Sequence, residues 1–161
     1  MSVYELDKTL NGGARENRFK VNFTLPAGIP GEIRELSLLV TTTNVPGSTR
    51  GTITITKDGK VVRIAGDNVP NETFPCSLRV PKDAKKAYST FYEWYNLPDT
   101  SNDYKVKMNM QQLDTQNNVI ATFEMTGVWV SVLPDVTFNT DSADTISTFE
   151  VTFTLDTINL V

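Results

Sequence analysis

The residues that could do chemistry are few, and their spacing works against them. Asp99, Ser101 and Asp103 stand two apart, as the oxygen donors do at the start of a calcium-binding loop. The pattern then fails, because Tyr104 takes the place of the turn-making glycine and Met110 that of the bidentate glutamate. Cys76 is the single cysteine and histidine is absent, which removes His-based triads, Cys–His dyads, Cys/His zinc centres and intramolecular disulfides together. No basic residue lies within two positions of Cys76 to activate its thiol, so it reads as a small packing residue. Neither a Gly-rich phosphate loop nor a nucleophile elbow is present, and no pair of the scattered carboxylates is singled out for acid–base work. Asn22 and Asn71 head Asn-x-Thr tripeptides, which would matter only in a secreted eukaryotic protein. The expectation is a protein without catalysis, metal or cofactor.

At 161 residues and 39% hydrophobic composition, the chain is the size of one domain spanning residues 1–161. A formal charge of −4 argues against gripping nucleic acid, which requires cationic side chains to neutralise phosphates. No charged-then-apolar leader and no apolar run of bilayer-spanning length is visible, so the chain is expected to be made and kept in cytoplasm.

The elements that would position any site are mostly strands. Residues 1–16 are polar and unpatterned and read as a flexible N-terminal arm. "NRFKVNFTL" alternates Phe19, Val21, Phe23 and Leu25 with polar residues, a half-buried strand. "IRELSLLVTTTNV" reads as a second strand closed by Pro46-Gly47. Residues 48–67 form the sharpest local prediction: Asp58-Gly59 favours a two-residue type I′ turn, which sets Ile55 opposite Val62, Thr54 opposite Arg63 and Ile53 opposite Ile64. This long hairpin is expected to project from the body. Pro75 in "ETFPCSLRV" suggests an edge or a bulge.

Pro81 opens the one expected helix, 82–97, with Pro98 as its stop. Ala84, Ala87, Tyr88, Phe91 and Tyr95 recur at helical spacing as a core stripe, leaving Tyr92 and Trp94 toward the margin to meet a partner. Beyond it, "YKVKMNMQQLD" and "VIATFEMTGVWVSV" read as strands. Gly127 marks a bulge, because the apolar positions are odd at Phe123 and Met125 but even at Val128, Val130 and Val132. "ISTFEVTFTLD" ends the pattern with Phe149, Val151, Phe153 and Leu155 on one side. The fold class expected is mainly β: two packed antiparallel sheets, sandwich or partly closed barrel, with one α-helix alongside and the hairpin projecting. Long Thr-rich strands with few Lys or Pro to blunt their edges point to pairing with other copies of the chain.

These residues resemble the tail tube proteins of contractile-tailed phages, whose fold is shared with the tubes of secretion and injection machines. "ARENRFKVNF" is similar to the family's opening strand, "TTTNVPG" to its proline-glycine corner, "RIAGD" to a turn and "FYEWYN" to its helix end. The most specific block is "MTGVWVSVLPDVTFNTDSADTISTFEVTFTLD", where Gly127 and Trp129 precede Thr148, Phe149, Val151, Phe153 and Asp156. The resemblance implies a structural subunit of a virion tail, assembled in the host cytoplasm: six-membered rings stack into a hollow tube that conducts DNA and ejected proteins without binding them specifically. It implies sheath, baseplate and tail terminator partners. It gives Ile53, Ile55, Asp58, Gly59, Val62 and Ile64 a ring-stacking role, and makes Tyr88, Phe91, Tyr92, Trp94 and Tyr95 anchors in the core or against a neighbour. The rival readings are the tube of a secretion or extracellular injection apparatus, a monomeric β-sandwich binding module, for carbohydrate for example, and an enzyme with an acidic pair.

Overall fold

The computed structural model describes residues 2, 3, 5, 16–133, 135, 136, 138, 140, 141 and 145–161. Most of the expected N-terminal arm, and part of the connection after Leu133, lie outside them. Among the described residues, nine strands run antiparallel: β1 (Phe19–Asn22), β2 (Val40–Thr43), β3 (Ser48–Lys57), β4 (Lys60–Pro70), β5 (Thr73–Arg79), β6 (Val106–Leu113), β7 (Val119–Val132), β8 (Thr148–Thr154) and β9 (Thr157–Leu160). Two α-helices accompany them, α1 (Ile33–Leu39) and α2 (Ala84–Asn96). Among the described residues no helix is long and apolar enough to cross a membrane.

Seven strands form one sheet in the order β1-β6-β7-β8-β5-β2, with β9 added on β7, while β3 and β4 form a separate ribbon. The fold is mainly β and sandwich-like without closing into a barrel. Its two layers share one strand. The first part of β7 pairs with β6 and β9, and its end from Trp129 pairs with β8. Between them the β6 register jumps from Met108↔Met125 to Val106↔Val128, an extra residue on β7 at Thr126 and Gly127. Bulged strands that pass from one layer to the other make the corners of such sandwiches. Gly127 has φ +67, and a Cβ there would overlap the Asp156 side chain. Only glycine meets both conditions without strain.

The alternation in β8 places its apolar side inward: Phe149, Val151, Phe153 and Leu155 are buried. They join Phe74, Cys76 and Leu78 of β5, Met108 and Met110 of β6, and Val21 and Phe23 in one core. Pro75 follows the point where β2 stops pairing, since Thr43↔Cys76 is the last pair, so its missing N–H interrupts no ladder on that side.

The segment "IRELSLL" is a helix, not the start of the expected strand; the strand begins only at Val40. Leu, Arg and Glu favour helix, and a short apolar run satisfies either period. Leu36 is buried, and Glu32 and Glu35 reach Lys86 of α2 at 3.5 and 3.7 Å. α2 begins two residues later than expected, with Asp83 as N-cap accepting from the Lys86 amide. Its inward stripe is Ala87, Thr90, Phe91 and Trp94. Thus Trp94, placed at the margin by the sequence reading, is fully buried, and Tyr95, placed in the core, is 43% exposed. Trp94 Nε1 donates to Tyr104 O at 2.8 Å, and its ring lies 5.6 Å from that of Phe153. Thr90 is buried because its hydroxyl donates to Pro30 O at 2.6 Å.

Candidate functional site

No metal-binding group of His, Cys, Asp and Glu occurs among the described residues. Asp99 and Asp103 are exposed and separate from any such cluster. Cys76 is buried, and burial pushes its thiol up to about 12, the opposite of an activated nucleophile. The candidate sites are surfaces.

The first is the β3–β4 hairpin. Its register is the one the turn dictates: Ile53↔Ile64, Thr54↔Arg63, Ile55↔Val62 and Lys57↔Lys60 around Asp58 (φ 52) and Gly59 (φ 74). It continues three residues past position 67, to Pro70, and the Asn71 amide donates to Gly47 O at its base. Every residue of both strands is exposed except Gly66. Ile53, Ile55, Val62 and Ile64 share one face and each leaves about half its surface in water. The ten residues of β3 at strand rise reach about 33 Å. Near the root, Gly51 faces both Gly66 and Asp67 across a bulge. A Cβ on Gly66 would stand 2.9 Å from Gly51 O, so the two backbones meet there with nothing between them.

The second is the outer margin of α2. Tyr92 and Tyr95 are exposed, while Phe91 and Trp94 are consumed by the core and Tyr88 is half-buried with its ring 5.1 Å from Phe149. The sequence signal for this division was available in the i, i+3, i+4, i+7 spacing of 87, 90, 91 and 94, obscured by a threonine in the stripe.

The third comprises the strand edges left unpaired among the described residues. β1 and β2 end the sheet path, and β9 ends its branch. A cleft of about 510 Å³ runs between β1, β2, β6 and β7, lined by Phe19, Thr42, Val45, Met110 and Phe123 among others. Sequence reasoning did not find it, since it arises from how far apart the two layers hold their edges.

Of the residues that carry the resemblance, Gly127, Trp129 and Asp156 stand at the corner, while Thr148, Phe149, Val151 and Phe153 run along β8. Asp156 donates its amide to Thr126 O at 2.9 Å, packs over Gly127, and receives Lys105 Nζ at 3.0 Å. Trp129 lies edge-on to Tyr104 at 5.7 Å, the residue whose carbonyl holds Trp94. The outward faces mix polar and charged residues: Lys20 and Lys107 stand on the same face as Asn22 and Asn109, and Glu124 lies opposite Asn109. Asn22 Nδ2 donates to Asn109 Oδ1 at 2.5 Å and Gln111 Oε1 at 3.2 Å, and the Thr126 and Thr157 hydroxyls bond to each other. Across the other layer, Thr41, Thr43 and Ser131 hydroxyls return to strand carbonyls.

No protein-family model matches the sequence, and no curated protein matches it. Solved structures do. A chain of the sheath–tube complex of an extracellular contractile injection system (PVC, extended state) superposes with TM-score 0.68 at 13% identity, covering 100% of this chain and 98% of that one. The tube-terminating cap of the anti-feeding prophage gives 0.66 at 17% identity over 92% and 90%. The PVC sheath/tube terminator gives 0.65 at 15% over 89% and 93%. The fold is therefore the tail-tube-like one shared with the tube and terminator proteins of contractile injection systems.

Proposed function

We propose that this chain is a non-catalytic structural subunit of a phage tail tube: six copies close into a ring, and rings stack around a lumen that conducts DNA and ejected proteins. The observation that carries the reading is a tube-protein fold matched over the full chain that also bears an exposed hairpin with one apolar face. Such an arm on a monomer would promote aggregation; in a repeating assembly it is an anchor. A head-to-tail contact closes laterally into a ring when its rotation divides the circle, and repeats axially without limit. The edges at β1, β2 and β9 supply lateral pairing. Obligate contacts of this sort bury upward of about 2,000 Å². A chain of charge −4 suits a conduit, because cationic contacts would hold a polyphosphate by counterion release. Sheath, baseplate and tail terminator proteins are the expected partners, and the virion tail the destination after assembly in the host cytoplasm. A second reading, the tube of an extracellular injection apparatus with a protein cargo, is favoured by the likeness to PVC and anti-feeding prophage components.

Electron microscopy and sedimentation of the purified chain over a concentration series test the proposal. Rings or hollow rods are expected, and Ile53→Thr with Ile64→Thr should suppress rods while the subunit still folds. A monodisperse monomer at every concentration, with and without an added baseplate initiator, overturns it.

A further inference from the structure

The hairpin and α2 each carry charges that no ion pair among the described residues neutralises. At the hairpin tip Lys57 stands directly across from Lys60, and like charges in that position destabilise a strand pair. Alternation puts both on the face of Ile53, Ile55, Val62 and Ile64, making an apolar strip with a basic end. Arg50 and Arg63 add to Lys57 and Lys60 against only Asp58 and Asp67, a surplus of two positive charges on a chain whose total is −4.

The end of α2 has the reverse character. A helix C-terminus carries partial negative charge and favours cations, yet the last turn of α2 holds no basic residue. Glu93, Asp99 and Asp103 are exposed around it, and no Lys or Arg occurs between Lys86 and Lys105. Ion pairs among the described residues involve only Lys86 and Lys105 as cations, so within that set neither this acidic end nor the hairpin lysines have an ion-pair partner. Beside the acids lie Tyr92 and Tyr95, 44% and 43% exposed.

We propose that the basic-tipped apolar face of the hairpin docks on the Tyr92/Tyr95 margin and acidic end of α2 in a second copy of this chain. The aliphatic strip covers the tyrosine rings, and Lys57 and Lys60 reach Glu93, Asp99 and Asp103, with the ring faces as further cation acceptors. Both surfaces are exposed in the molecule that bears them, so each is free for another copy. Because the two surfaces differ, the contact is head-to-tail and propagates, which deepens the tube reading and rests on it.

The test is a charge swap in the full chain, read as the concentration above which sedimentable polymer forms, at low and high salt. Lys57→Glu with Lys60→Glu, and separately Glu93→Lys with Asp103→Lys, should each raise that concentration by about tenfold or more at low salt, an effect that screening reduces. Combining all four changes should bring it back toward wild type, and circular dichroism should show every variant folded. Variants that assemble like wild type, or a combination no better than its halves, would overturn the docking surface and leave the tube reading standing. Failure of the wild-type chain to polymerise under any condition would overturn both.

Discussion

Adding one methyl group at Gly127 should disable the corner of the fold. Gly127→Ala forces an L-residue to hold φ +67, which costs about 1–2 kcal/mol. The new Cβ also overlaps the Asp156 side chain, so that residue must move. Its pairing with Lys105, both groups about half exposed, contributes under about 1 kcal/mol, and the Asp156 amide bond to Thr126 O about 1 kcal/mol more. The total is about 2–4 kcal/mol, or a fall of roughly 4–15 °C in Tm for a chain of this size. Urea unfolding at concentrations too low for assembly measures it. The steric share is separable in an Asp156→Gly background, where Gly127→Ala should lose about half of its cost and leave the backbone part. Costs that add to within about 0.5 kcal/mol in the double variant would refute the claim that Asp156 and Gly127 are coupled through space. A Gly127→Ala cost under about 0.5 kcal/mol would refute the bulge argument altogether.

Replacing Ile53 and Ile64 by Thr removes half-exposed apolar surface worth about 1 kcal/mol each at a contact, so assembly should weaken by about tenfold or more while the monomer's unfolding midpoint stays put. Trp94→Phe deletes the donor to Tyr104 O and part of a fully buried ring, and should destabilise the monomer by about 1–3 kcal/mol in chemical denaturation. Cys76 should resist a thiol-specific alkylating reagent at neutral pH until the chain unfolds, since burial holds its thiol at about 12. In the β6–β7 turn the Asn118 amide, joined by that of Gln116, holds the Asp114 carboxylate below the usual range. That stabilisation is complete above the unfolded carboxylate's pKa and is lost as pH falls through the lower folded value, so Asp114→Ala should flatten the acid limb of a stability–pH curve.

Several features were legible because one local rule decided them. The β8 strand showed a single clean period, the hairpin register followed from Asp58-Gly59, and the Gly127 bulge appeared as a change of phase from odd to even apolar positions. α1 was not legible: its seven residues fit either period, and Leu36 is buried by joining the common core, not by its neighbours in sequence. The α2 stripe was misphased by one position because aromatics surround the helix and because Thr90, a polar residue, is buried through its bond to Pro30 O. β9 was missed, since Thr157–Leu160 is a strand only by virtue of pairing with Phe123–Thr126. For the surfaces, composition identifies which residues need covering, whereas only the fold shows that the hairpin and the Tyr92/Tyr95 margin stay exposed among the described residues.

The bulge where Gly51 meets Gly66 has a mechanical consequence. With no side chain on either residue to brace the crossing, bending of the arm concentrates at its root, and the body it springs from need not deform. A filament linked through such arms would gain its compliance at the joints between discs, curving under load while each disc keeps a constant bore.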